Sequence, residues 1–417
     1  MIFGCVADDF TGASDGASFL KKAGLHTILM NGIPEKKEEN FTADAVVIAL
    51  KSRTQEREEA VKECLDAFQW LRAKGAKILY FKYCSTFDST DRGNIGPVID
   101  AVLEKYQYPY TLLCPSLPVN GRTVRQGKLY VNGVLLENSS MREHPLTPMK
   151  KSRLADLMEK QGKYSCLETG MPVDGSFYER LQRETSGGSH CYIVPDYETD
   201  EQGKEIADTF SEAGFYTGGS GLMEHLANKL KAHICHKETT GFTKKRDCSS
   251  VILAGSCSQA TLEQIEEYQK RGLPSYKILP ERILNGELNA KKIWSESGMA
   301  NQKIGMIYSS ASPNEVRELQ KKEGKERITG ILEKTMAALA QIAVTEGMQN
   351  IIAAGGETSG AILKALGYQS YWIGNSIAPG VPIMIPVTEP SQRLALKSGN
   401  FGQKDFFTEA VKKMEEG

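Results

Sequence analysis

The sequence predicts an α/β protein of two domains, each with a largely parallel sheet flanked by helices and with the active site in the cleft between them. Three observations predict it. The chain has 417 residues, beyond the roughly 250–300 at which one hydrophobic core stops growing. Short β-branched or apolar runs alternate with amphipathic helical windows in both halves, and a polar, charged stretch separates the halves.

In the first half, residues 3–7, 26–30, 45–50, 78–83 and 110–114 read as strands. Between the third and fourth, over residues 56–73, Ala60, Val61, Cys64, Leu65, Phe68 and Leu71 recur at three- and four-residue spacing. That stripe is one buried helix face, and a crossover helix between strands implies parallel pairing. Asn132-Gly133 lies between Leu129-Tyr130-Val131 and Val134-Leu135-Leu136. This is the two-residue turn of a hairpin, and so an antiparallel excursion from the main sheet. Residues 236–249 (HKETTGFTKKRDCS) are crowded with polar and charged side chains. They are read as a linker between domains 1–235 and 250–417. Strands are expected again at 251–254, 304–308 and 350–353, with a long helix near 326–346 whose stripe from Ile328 to Ile342 is ordinary core.

Hydrophobic residues make up 40% of the chain and charged residues 25%, the balance of a packed globular protein. Fifty-one Lys and Arg stand against 52 Asp and Glu, a net charge of -1. No global field would attract a nucleic acid or an acidic membrane. No apolar run reaches the roughly 20 residues of a membrane span, and the N-terminus lacks a secretory pattern, so a cytoplasmic location is expected. The nine cysteines include no CxxC pair. They are read as reduced thiols, with neither a zinc cage nor a disulfide framework.

Chemistry is expected where strands end, since open α/β sheets bind ligands outside the carboxyl ends of their strands. In the second half, Gly255-Ser256-Cys257-Ser258 and Gly355-Gly356-Glu357-Thr358-Ser359-Gly360 each follow a strand and enter a helical segment. Such junctions offer unpaired N–H groups to a phosphate, and glycine permits close approach. Lys397-Ser398-Gly399-Asn400-Phe401-Gly402 combines a cation, a hydroxyl, an amide and two glycines. Each loop alone also reads as a helix cap or turn. No GxGxxG or GxxxxGK[ST] stands at these junctions, which argues against a dinucleotide oxidoreductase and a Walker A loop.

In the first half, Asp8 and Asp9 follow a strand, as metal or hydroxyl contacts or as the N-cap of a helix starting near Thr11. Arg53 and Lys82 lie at two further strand ends and suit a substrate carboxylate. Asp88 follows Lys82 closely, and Asn120-Gly121-Arg122 forms another polar turn.

These strings resemble the four-carbon acid sugar kinase family along essentially the whole chain. The motifs are VADDFTGASD from Val6, FKYCSTFDST from Phe81, RGNIGPV from Arg92 and PVNGRTV from Pro118, followed by LAGSCSQAT from Leu253, AGGETSG from Ala354, APGVP from Ala378 and LALKSGNFG from Leu394. The resemblance implies an N-terminal sugar-acid-binding domain, a C-terminal nucleotide-binding domain, and Mg-ATP phosphorylating the C4 hydroxyl of a small acid. Among such acids 3-oxo-tetronate stands ahead of threonate and erythronate. It implies nucleotide contacts at Ser256, Ser258, Gly355, Gly356, Glu357, Thr358, Ser359, Gly360, Gly399, Asn400 and Gly402. Substrate contacts are implied at Arg53, Lys82, Asn120, Gly121 and Arg122, and a catalytic base among Asp8, Asp9 and Asp88. Metal ligands and a homodimer are left open, and the rival from another class is a noncatalytic sugar-acid sensor.

Overall fold

The computed structural model describes residues 1–34, 41–143, 147–230, 248–311 and 313–416. The linker expected at 236–249 lies outside the described residues except for its last two positions. The chain forms two compact units, Met1–Lys237 and Glu238–Gly417.

The first unit is built on strands β1 (Phe3–Ala7), β2 (Thr27–Asn31), β3 (Ala45–Ala49), β4 (Ile78–Lys82), β5 (Tyr110–Cys114), β9 (Ser165–Thr169), β10 (Cys191–Pro195) and β11 (Phe215–Gly218). Their order is β2-β3-β1-β4-β11-β5-β10-β9, and every pairing is parallel. Buried on both faces, β1 and β3 are continuous apolar runs (FGCVA and AVVIA) rather than alternating ones. The crossover helix Arg57–Ala73 buries Ala60, Cys64, Phe68 and Leu71 of the expected stripe and Ala67 beside them, whereas Val61 and Leu65 are half-buried at its margin. A second sheet joins β6 (Arg122–Arg125), β7 (Lys128–Val131) and β8 (Val134–Leu135), all antiparallel. Its Asn132 and Gly133 have φ of 51° and 79°, as a two-residue hairpin turn demands.

The second unit has β12 (Ser250–Ala254), β13 (Ser275–Lys277), β14 (Ile304–Tyr308), β15 (Asn350–Ala354), β16 (Ser370–Ala378), β17 (Val381–Pro386) and β18 (Arg393–Lys397). Parallel strands run in the order β13-β14-β12-β15-β18, and β17 and β16 continue antiparallel beyond β18. The long helix is Lys325–Thr345. The antiparallel pair departs from the simple alternation expected of this half. Pro379 and Gly380, with Gly380 at φ 79°, turn β16 directly back into β17 without a crossover helix.

Register places the strand ends level. Ala49, Ala7, Lys82, Gly218 and Cys114 form one row in the first unit, and Lys277, Tyr308, Ala254, Ala354 and Lys397 another in the second. Each sheet also reverses its winding along that row, between β1 and β4 and between β12 and β15. These are the crevices where open α/β sheets hold ligands. Among the described residues no helix is long and apolar enough to cross a membrane.

Packing at the first row is tight. A Cβ on Gly218, whose φ is 154°, would lie 1.9 Å from the Cys114 carbonyl oxygen. Gly218→Ala is therefore expected to destabilise the chain by about 2–3 kcal/mol, the usual cost of overpacking against backbone. A urea midpoint equal to that of the parent chain would refute this.

Candidate active site

At the β1–β4 crevice the first two residues beyond β1 are Asp8 and Asp9. Asp8 is buried, and Arg53, from the loop after β3, donates to both its oxygens, Nε to Oδ2 at 2.9 Å and Nη2 to Oδ1 at 2.8 Å. The fork of the guanidinium matches the carboxylate, the arrangement that makes a buried charge tolerable. Burial pushes the Asp8 carboxyl up from its ordinary value, and Arg53 opposes that rise. Asp9 is the N-cap of helix Phe10–Lys22, accepting from the Gly12 N–H at 2.8 Å, and its Oδ1 also lies 3.1 Å from Arg53. The N-cap reading thus holds for Asp9, and the charge contact that the structure adds for both carboxylates is to Arg53.

Lys82 ends β4 with its side chain buried, and its Nζ is 3.5 Å from Asp15 Oδ2. The same Asp15 oxygen accepts from Ser220 Oγ at 2.6 Å. Burial alone would lower Lys82; Asp15, Asp9 and Asp8 outweigh it and hold the ammonium above its ordinary value. Asp88 approaches Arg53 at 3.9 Å through Oδ2 and accepts from Thr86 Oγ1 at 2.8 Å through Oδ1. Phe87 and Asp88 both have positive φ, 66° and 39°, which L side chains seldom adopt. The buried Phe87 ring, packed edge-on against Tyr83 at 5.6 Å, fixes that turn.

The structure therefore brings Asp8, Asp9, Arg53, Lys82 and Asp88 together. The Asn120–Arg122 turn lies beyond β5, where the chain enters the three-stranded sheet, and its hydrogen bonds are local. The Asn132 N–H donates to the Gly121 carbonyl at 2.7 Å, and Arg122 donates to the Asn120 carbonyl. Arg122 Nε is buried without a partner among the described residues.

Three further residues that the sequence singles out less firmly belong to this assembly. Asn94 donates to the Ser52 and Gln55 carbonyls at 2.7 and 2.9 Å and so shapes the loop that carries Arg53. Asp15 and Ser220 steady Lys82. A signal for Asp15 did exist: a carboxylate inside a helix whose neighbours Gly12, Ala13, Ser14, Gly16 and Ala17 are all small must be buried, and a buried carboxylate must find a partner.

In the second unit the three glycine-containing loops converge. Ser258 caps helix Gln259–Lys270 and donates to the Gly399 carbonyl at 2.7 Å. Gly255 N–H binds the Ala354 carbonyl at 2.9 Å, and Gly355 N–H binds the Lys397 carbonyl at 3.0 Å. A Cβ on Gly399 would stand 2.5 Å from Ser256 Oγ, so only glycine lets the loops meet there.

The first two loops open on a cavity of about 680 Å³, lined by Gly255, Ser256, Gly355, Gly356, Glu357 and Thr358 together with the apolar Leu279, Pro280 and Leu332. Ser309, also in its wall, has a buried hydroxyl without a partner among the described residues. Backbone donors beside an apolar chamber suit a phosphorylated ligand with a flat base. The remaining predicted contacts lie outside this lining. Ser359 is buried, Gly360 and Asn400 are exposed, and the Gly402 carbonyl is held by Gln264 Nε2 at 3.0 Å. Leu279 and Pro280 carry no motif in the sequence, and Leu332, expected as ordinary core of the long helix, is half-buried and lines the cavity instead.

A model for a sugar-binding N-terminal domain matches residues 3–226, and one for a nucleotide-binding C-terminal domain matches residues 251–407. The 3-oxo-tetronate kinase of Haemophilus influenzae is 40% identical over 413 residues, covering 97% of this chain and 98% of that protein. The 3-oxo-tetronate kinase of Actinobacillus succinogenes is 40% identical over 415 residues, 98% of each. A solved Haemophilus influenzae structure superposes with a TM-score of 0.82 at 39% identity, over 99% of this chain and 100% of that one. A Salmonella typhimurium protein solved under the name of a tRNA synthase gives 0.86 at 36% identity, over 99% of each chain.

Removing one member of the buried pair leaves the other uncompensated. Arg53→Met is expected to cost on the order of 3 kcal/mol, and adding Asp8→Asn should recover much of that loss because the stranded charge is gone. Equal urea midpoints for Arg53→Met and the parent chain would sink this account of the pair.

Proposed function

The chain belongs to the four-carbon acid sugar kinase family, and from that premise we propose that it transfers the γ-phosphoryl group of ATP to the C4 hydroxyl of 3-oxo-tetronate, giving 3-oxo-tetronate 4-phosphate and ADP. The observation that carries this reading is the distribution of chemistry between the two crevices. Backbone donors and an apolar chamber gather in the residues matching a nucleotide-binding domain, and carboxylates with two cations gather in those matching a sugar-binding one.

Phosphoryl transfer asks for alignment and charge neutralisation more than for covalent chemistry. The cavity holds the nucleoside, with the phosphates at the N-terminus of helix Gly356–Leu366, beyond the Gly255 and Gly355 N–H groups that the sheet already engages. On the acid's side, Arg53 and Lys82 are already engaged by carboxylates, so their part is to set the field and hold the carboxylates in place. Arg122, whose Nε has no partner, is the better-placed cation for the substrate carboxylate. Asp8 commits both oxygens to Arg53, and Asp9 commits Oδ1 to the helix cap. Among the described residues Asp88 Oδ2 accepts no hydrogen bond, with Arg53 3.9 Å away, and it stands on a strained turn of the kind that marks functional positions. Asp88 is therefore assigned as the base that takes the C4 hydroxyl proton. The four carboxylates Asp8, Asp9, Asp15 and Asp88 exceed the two cations in formal charge; Mg²⁺ would arrive with ATP, since among the described residues no group of three or more His, Cys, Asp or Glu is placed to hold a metal ion by itself. A cytoplasmic location suits this pair of substrates.

Coupled ADP release should be strongest with 3-oxo-tetronate among a panel that includes both enantiomers of threonate and of erythronate. Preference for one of the hydroxy acids would reassign the substrate within the same chemistry, and silence on all of them would point to a sensor. Asp88→Asn is expected to lose at least about a hundredfold in kcat, as loss of a general base does, with ATP binding unchanged. Near-parental turnover of that variant would remove Asp88 from the role and leave Asp9 as the next residue to change.

A further inference from the structure

Lys397 is the last residue of β18 and its side chain is buried. Among the described residues no carboxylate comes within ion-pair distance of it, unlike Lys82 and Arg53. Its Nζ donates to Thr261 Oγ1 at 2.9 Å, to the Gly399 carbonyl at 2.8 Å and to the Ser398 carbonyl at 3.3 Å. Three acceptors saturate the three N–H bonds of an ammonium, and a neutral amine has one too few. The Phe406 ring lies beneath the cation at 5.8 Å.

Those hydrogen bonds orient two peptide units. In a trans peptide the N–H points opposite to the carbonyl. With the Ser398 and Gly399 carbonyls turned to Lys397, the following N–H groups, on Gly399 and Asn400, turn away from it. Neither has an acceptor among the described residues. Successive unpaired N–H groups of this kind form an anion-binding concavity. Gly399 also packs against Ser256, a residue of the cavity wall.

We propose that Lys397 is a positioning residue whose ammonium holds the 398–400 peptides so that the Gly399 and Asn400 N–H groups receive a nucleotide phosphate, and that nucleotide binding is coupled to uptake of a proton by this side chain. The inference rests on the nucleotide reading of the cavity.

Burial lowers Lys397 to about 8, because nothing anionic offsets its desolvation. The elements around it offer no counter-charge. Glu263, on the helix that carries Thr261, pairs with Lys404 at 3.4 Å. Asp405 and Glu409 flank Phe406, Cys257 lies in the loop before Ser258, and Glu357 lies in the helix after Gly355, all beyond ion-pair distance of Lys397. The adjoining strands β15 and β17 present apolar residues. A bound polyphosphate therefore supplies the first anion, and it favours the charged form. The sign follows: below pH 8 the side chain is already protonated and binding moves no proton, and above pH 8 binding must draw one in.

The test is calorimetric titration of the full chain with ADP in excess Mg²⁺, in buffers of different ionisation enthalpy. ADP itself is fully deprotonated from pH 8 upward. Proton uptake should be near zero at pH 7 and approach one at pH 9, with Kd rising about tenfold across that interval. Lys397→Arg, charged throughout, should bind with little uptake at either pH, and Lys397→Met should bind weakly at both. If a variant does not fold, the parent chain alone decides. Binding at pH 9 without proton uptake overturns the inference and leaves the nucleotide site standing; no ADP binding even at pH 7 overturns both.

Discussion

Parallel pairing is the constraint on which the rest of this structure depends. A parallel strand must be reached by a crossover, so all strands of such a sheet deliver their carboxyl ends to one edge. Here the register makes those ends level across five strands in each unit. Residues far apart in sequence, such as Asp8, Arg53 and Lys82, or Gly255, Gly355 and Gly399, meet because each is the last residue of its strand or stands within four steps of the strand's end. The reversal of winding at β1–β4 and at β12–β15 opens the crevice that they line.

The two crevices handle charge in opposite ways. In the first unit Arg53 is matched by Asp8 and Asp9 and Lys82 by Asp15, and among these residues the surplus charge is negative. In the second, N–H groups, hydroxyls and the unpaired Lys397 make a site with no buried carboxylate among its described contacts. One arrangement suits a reaction in which a hydroxyl must lose its proton, and the other suits holding a polyanion until it does.

Much of this was legible because local rules suffice for it. Apolar runs buried on both faces mark β1 and β3, the Asn132-Gly133 turn needs positive φ, and the stripe of helix Arg57–Ala73 repeats at helical spacing. The glycine loops after β12 and β15 were legible for the same reason. What escaped depends on tertiary contact. Nothing near Asp15 in sequence points to Ser220 or Lys82, and the antiparallel β16–β17 pair is decided by one Pro-Gly turn. Arg53 reads as a substrate grip until the fold shows both Asp8 oxygens bound to it. Lys397 reads as a loop cation until burial shows it has no counter-ion.

If the two kinds of chemistry serve one transfer, from ATP to a hydroxyl of a small acid, the products must carry its mark. The most direct measurement is phosphorus NMR of the products formed from ATP and 3-oxo-tetronate. A new phosphomonoester resonance split by the two C4 protons, growing in step with ADP, is the predicted result. ADP accompanied only by inorganic phosphate would contradict the claim, because the phosphoryl group would then have passed to water.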